Sequence, residues 1–162
     1  MEIGAQNGII HIDRSIRPVY PGWSRGPMHP ELEMTGPDEF DIGELEQWLL
    51  PKQETDVVTG DVIYQHLTQT DALKTCVGLQ DLLGIQKEGI GLFRKHFAGK
   101  AAFGWRSIAV SHDMADQKSV VLVQEASLHV PFLYEVYGGV RLNWLWLINC
   151  FHSVNPALRY QR

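Results

Sequence analysis

The sequence predicts an α+β fold: an N-terminal extended arm, three to four helices, then a four-stranded antiparallel β-meander packed on the helices. Three observations carry this expectation. Residues 1–40 hold Pro18, Pro21, Pro27, Pro30 and Pro37 together with Gly22, Gly26 and Gly36; proline removes a backbone donor and restricts the residue before it, so no long helix fits there. From Leu79 to Phe97 apolar residues recur every three or four positions, the spacing of one helix face. Beyond Gly99 the period falls to two, that of a half-buried strand. The 162 residues suit one domain, read as arm (1–40), helical part (41–98), sheet (101–148) and tail (149–162).

Within the arm, Ile9, Ile10, Ile12, Ile16, Val19, Tyr20 and Trp23 are too apolar for a free tail. A short strand at 8–12 and a path over the body of the domain are expected. Asp41-Ile42-Gly43-Glu44 has the spacing of a capping box, with Leu45, Trp48 and Leu49 behind it and Pro51 as a stop, which predicts a first helix. A second is expected over 60–68, and a short third from Thr70 or Asp71 through Leu73 and Cys76. The stripe Leu79, Leu82, Leu83, Gln86, Ile90, Phe93, Phe97 reads as one helix, although Gly84, Gly89 and Gly91 each cost about 1 kcal/mol relative to alanine. Gly99 supplies its left-handed stop.

Strands are expected at 101–110, 119–124, 128–137 and 140–148, with a Gly138-Gly139 hairpin turn between the last two. Pro131 places its strand at an edge or at a bulge. Phe132 with Tyr134, and Trp144 with Trp146, read as one set of face-sharing pairs; Ile108, Val110, Val121, Val123, Leu133, Leu145 and Leu147 read as the opposite face. One helical layer covers only one face, so the other calls for the arm, self-association or a partner. The arm is the expected cover for most of it.

Hydrophobic content of 44% and charged content of 20% are those of a globular chain. Met1-Glu2-Ile3-Gly4 has no basic region leading into an apolar run, and Val140 to Phe151 is too short and too interrupted to span a bilayer. A soluble, cytoplasmic protein with no membrane partner is expected, with Cys76 and Cys150 reduced and buried rather than paired. Residues 1–80 carry 13 acidic and 5 basic side chains, residues 81–162 carry 6 and 9. The acidity concentrates between Glu31 and Asp56. A solvated surface explains such a cluster; the alternative is a patch for a basic partner, formed by Glu31, Glu33, Asp38, Glu39, Glu44, Glu46 and Glu54.

Seven histidines show no pair at chelating spacing, so neither a metal nor a cofactor is expected. Nucleophile-elbow and phosphate-loop motifs are absent. His11, Asp13, Arg17 and His29 could assemble an alternative ligand or catalytic site between arm and sheet. The sheet aromatics could stack nucleic-acid bases, but the acidic net charge of −5 favours core packing for them.

Met28-His29-Pro30-Glu31-Leu32-Glu33, Lys95-His96-Phe97-Ala98-Gly99-Lys100-Ala101-Ala102-Phe103-Gly104-Trp105 and Asn155-Pro156-Ala157-Leu158-Arg159 resemble strings in a family of small bacterial hypothetical proteins. The resemblance spans about residues 17–160 and implies a bacterial or phage-like source. It brings no activity, ligand or catalytic residue with it. The chain departs from that pattern by extra residues around His112 to Ser127. The functional expectation is an interaction protein of the inhibitor, immunity or accessory type, with a protein partner at the acidic patch. A ligand site or enzyme between arm and sheet is the alternative, and nucleic-acid binding by the sheet comes third. The third reading requires Trp144 or Trp146 to be exposed.

Overall fold

A computed structural model describes residues 8–111 and 128–161. The expected strand 119–124 lies outside them. The strands are β1 (Ile9–His11), β2 (Ser24–Pro27), β3 (Glu39–Asp41), β4 (Glu46–Trp48), β5 (Val58–Thr59), β6 (Ala102–Phe103), β7 (Ala109–Ser111), β8 (Leu128–Val136), β9 (Gly139–Trp146), β10 (Cys150–Phe151) and β11 (Ala157–Arg159). The helices are α1 (Gly60–Gln69), α2 (Leu79–Lys87) and α3 (Ile90–Phe97).

Seven of these strands form one mixed sheet, which corrects the four-stranded antiparallel meander. Its path runs β2-β7-β8-β6-β11-β4, and β9 lies along the other edge of β8. β6 and β11 are parallel. The decisive addition is the chain's end. Instead of trailing away after Asn155-Pro156, residues 157–159 insert between β6 and β4. Leu158 O accepts from Val77 N at 2.9 Å and Pro156 O from Phe103 N at 3.1 Å. Such pairing joins residues far apart in sequence, which local periodicity does not register.

Pairing also overrides the first expected helix. Asp41 caps as foreseen, its Oδ1 accepting from Gly43 N at 2.9 Å, but only a single 3-10 turn (Ile42–Glu44) follows. Residues 46–48 then run extended beside 157–159. Intrinsic helix preference is a weak prior against a ladder of this kind. The third expected helix is likewise one 3-10 turn, Leu73–Thr75. The long stripe is two helices, because Gly89 takes φ +92 and breaks the hydrogen-bond ladder between α2 and α3. The second helix, the strand at 8–12 and the stop at Gly99 (φ +75) are as expected.

The expected strand 101–110 is split. β6 and β7 lie end to end along the same edge of β8, and residues 104–108 bulge out between them. Pro131 sits in the central strand opposite this gap, with its carbonyl accepting from Gly104 N at 2.9 Å. Its missing N–H therefore falls where no ladder partner needs it, so no edge position is required.

The β8–β9 turn is Tyr137-Gly138, with φ of +51 and +74, one residue before the expected glycine pair. A two-residue turn pairs even-numbered with odd-numbered positions here: Phe132 faces Asn143, Pro131 faces Trp144 and Leu133 faces Leu142. The two aromatic pairs consequently point to opposite faces. Trp144 shares its face with Leu133, and Leu145 shares that of Phe132.

Both faces are covered, and by helices on each side. Ile63 and Leu67 of α1 pack with Phe103, Trp105, Val130, Leu147 and Phe151. On the other face Leu82 and Ile85 of α2 and Leu92, Phe93 and Phe97 of α3 join Leu133 and Leu158, with Ile10, Phe40 and Ile42 from the arm region. Adjacent residues divide between the layers, Ala102 from Phe103 and Ala157 from Leu158. Among the described residues no helix is long and apolar enough to cross a membrane. Cys76 is buried, Cys150 is exposed, contrary to the expected burial of both, and neither forms a disulfide.

Candidate functional site

The second face is not filled to its end by α2 and α3. Past Leu133 and Leu142 it continues through Pro131 and Trp144 to His129 and Trp146. There the arm takes over. Ser24 of β2 pairs with Ser111 of β7, and a turn closed by Ser24 N donating to Pro21 O at 2.9 Å sets Trp23 over the sheet. The Trp23 ring meets His129 at 4.5 Å and, edge to face at 89°, Trp144 at 5.9 Å. Trp146 stands at 77° to His129, 4.9 Å away. Tyr20 packs on Trp144 at 5.4 Å. Trp23, Ser111, His129, Asn143, Trp144 and Trp146 together line a cavity of about 200 Å³. His129 is buried, whereas Trp23 and Trp146 keep 37% and 43% of their surface exposed. No carboxylate, lysine or arginine is among the described residues lining it.

The arm is held in this place by a buried polar core. Tyr20 Oη donates to Glu33 Oε2 at 2.5 Å, and Ser107 Oγ donates to Glu33 Oε1 at 2.9 Å. Burial pushes the Glu33 carboxyl pKa upward, and burial with the nearby Glu33 pushes that of the Tyr20 phenol up as well. Beside them Asp81 accepts at Oδ1 from Arg14 (2.8 Å), and at Oδ2 from Arg106 (3.0 Å), Tyr160 (2.5 Å) and Gly78 N (2.8 Å). Asp81 and Arg106 are wholly buried. The arm contributes Arg14 and Glu33, and the body Asp81, Arg106 and Tyr160. This core is a clamp: all its carboxylate oxygens are occupied from within.

Six of the seven acidic residues of the expected patch are exposed. Glu33 is internal and cannot face a partner. Glu46 lies 3.7 Å from Arg159, and Glu31 is 3.6 Å from His29. Asp38, Glu39, Glu44 and Glu54 are exposed. The four residues of the alternative site are also separated. His11 and Asp13 line a shallow groove against α2, with Ile16 and Leu83. Asp13 is exposed and engaged by its own turn, its Oδ1 accepting from Ser15 N at 3.0 Å. Arg17 is exposed, and His29 is engaged elsewhere, its Nε2 2.6 Å from Tyr64 Oη. Burial lowers the His29 pKa and pushes Tyr64 up to about 12. Both shifts run against proton transfer between the two near neutral pH. Among the described residues no group of three or more His, Cys, Asp and Glu side chains could hold a metal ion.

Sequence reasoning favoured core packing for Trp144 and Trp146, with their exposure required only by the nucleic-acid alternative, and it missed Trp23 and His129 as parts of a site. The signal available for Trp23 was its place in an arm too apolar to be free. Nothing local links it to β8 and β9 across more than a hundred residues. No family model, curated protein or solved structure matches the chain.

Proposed function

We propose that this protein is a binding module whose ligand sits against Trp23, Trp144 and Trp146. The observation that carries the reading is the exposure of two tryptophans on the rim of a formed cavity. Large aromatic side chains contribute most when buried, and a fold with two filled cores has no packing need to leave these two open. Ligand pockets are concave sites where apolar walls meet a few polar groups; here Ser111 and His129 line the cavity beside the tryptophans, and its surface is polar and apolar in about equal part. The lining also bears on ligand type. A polyanion tracks cationic side chains along its phosphates, and the described lining has none, so the pocket suits a compact group better than a nucleic-acid strand.

The test is a tryptophan-fluorescence screen of the full chain against small cations, sugars, nucleosides and aromatic acids, repeated with Trp146→Ala. A saturable change for at least one compound, weakened about tenfold or more in the variant, is expected. Saturable binding that the variant leaves untouched would place the site elsewhere.

A further inference from the structure

We infer that Glu33 is a pH-sensitive latch on the arm: protonated, it holds the arm closed on the sheet, and its ionisation lets the arm lift, taking Tyr20 and Trp23 off Trp144. The latch does not depend on the cavity taking a ligand. Its base is a pinned neck. Ile12 N donates to Asp38 O at 2.8 Å and Arg14 Nε to Pro37 O at 3.0 Å, so the two ends of residues 14–37 are tied together. Arg14 fastens that neck to Asp81 on α2. A loop closed at its base can lift from its tip while its ends stay in place.

Glu33 joins this loop to itself and to the body. It accepts from Tyr20 Oη at 2.5 Å and from Ser107 Oγ at 2.9 Å. Ser107 Oγ accepts in turn from Leu79 N at 2.7 Å, which leaves its one hydrogen for Glu33. The Tyr20 ring, held by the first of these bonds, packs on Trp144. Glu33 is only 2% exposed, and it makes no ion pair among the described residues. Arg106 is turned to Asp81 and Arg17 is exposed, so both favour a charge on Glu33 only from a distance. Ionised in the closed arm, the carboxylate has neutral hydroxyls in place of water; in the lifted arm it is hydrated. Burial accordingly raises its pKa in the closed state. Closure is complete below the ordinary value of 4.5 and weakens as pH rises through the raised one. His29, a half-buried titratable group of the arm, sits against Tyr64 of α1. Burial lowers its pKa, so it acts the opposite way, weakening closure as pH falls below 6.5.

Amide hydrogen exchange of the full chain, followed by NMR with the parent beside Glu33→Gln, tests the latch at pH values stepped upward from below 4.5. Ser24 and Met28, whose N–H groups donate to Pro21 O and Ile108 O, report on the arm; Val77 and Phe103, which donate to Leu158 O and Pro156 O, report on the body. The arm amides are expected to be less protected than the body amides at every pH. The ratio of parent to variant protection at Ser24 and Met28, in which the His29 contribution cancels, is expected to fall about tenfold for each pH unit between the ordinary and the raised pKa. A constant ratio would overturn the latch. Equal protection of arm and body would overturn it too, because the arm would then open only when the whole chain unfolds. The ¹³C shift of the Glu33 carboxyl in the parent gives a reading independent of the variant: a titration midpoint above 4.5 is expected, and one at or below it overturns the inference.

Discussion

The Asp81 carboxylate and the Arg106 guanidinium meet at 3.0 Å with both side chains wholly buried. Arg14 reaches the other oxygen of the same carboxylate from the arm. One residue on α2 thus fixes the bulge between β6 and β7 and also the segment that delivers Tyr20 and Trp23 to the pocket.

Removing that carboxylate leaves two guanidiniums facing each other in the interior. Breaking a buried pair from one side costs about 3–5 kcal/mol, far more than loss of an exposed pair. Asp81→Ala is expected to lower urea-unfolding stability by that amount. A loss under about 1 kcal/mol would mean that water or other groups satisfy the arginines.

Glu33 makes stability depend on pH in a definite direction. Burial holds its folded pKa above the ordinary value of 4.5. The native state therefore binds this proton more tightly than the unfolded chain does. The resulting contribution is fully present below the unfolded pKa and is lost as pH rises through the folded one. Glu33→Gln is expected to gain stability relative to the parent as pH rises above the ordinary carboxyl value of 4.5, measured by chemical denaturation. Parallel curves for the two proteins would contradict the shift.

The outer edge of β9 pairs with no other described strand, and its outward groups are partly closed by side chains. Asn143 Oδ1 accepts from Trp144 N at 2.8 Å, and Gln86 Nε2 donates to Val140 O at 3.1 Å. Open edges recruit other strands, and such capping suppresses this. Asn143→Ala is expected to produce concentration-dependent self-association, seen by analytical ultracentrifugation, where the parent shows less. Identical sedimentation would show that Asn143 does not guard the edge.

Tyr137 occupies the first position of the hairpin turn at φ +51 with 97% of its surface exposed. Asparagine tolerates this conformation better, and the exposed ring gives up no packing. Tyr137→Asn is expected to stabilise by about 0.5–1 kcal/mol. Destabilisation would show that the phenol ring makes a contact the fold depends on.

What could be read from the sequence were features set by near neighbours. The apolar stripe through Leu82 and Phe93 marked the helical region, the capping oxygen of Asp41 was placed correctly, and Gly99 stopped α3. The two long strands of the hairpin, Leu128–Val136 and Gly139–Trp146, were evident from alternation, as was a turn near Gly138. What could not be read depends on partners distant in the chain. Residues 46–48 become a strand because 157–159 lie beside them. Trp105 and Arg106 leave the ladder because the core and Asp81 hold them. Charge was the least reliable guide, since Glu33 belongs to the interior and not to an acidic surface. The pocket itself was half legible: Trp144 and Trp146 share a face by spacing, but the arm's Trp23 reaches them only through the fold.

The central claim is that ligand meets three particular indoles. The chain has five tryptophans, and Trp48 and Trp105 lie apart from the pocket, Trp105 within the core formed with α1. Indole N–H resonances in a ¹H–¹⁵N spectrum, assigned by single Trp→Phe variants, report on each separately during titration with a compound found in the screen. The signals of Trp23, Trp144 and Trp146 should move together and saturate while those of Trp48 and Trp105 stay in place. Movement confined to Trp48 or Trp105, or no movement at saturating ligand, would contradict the site.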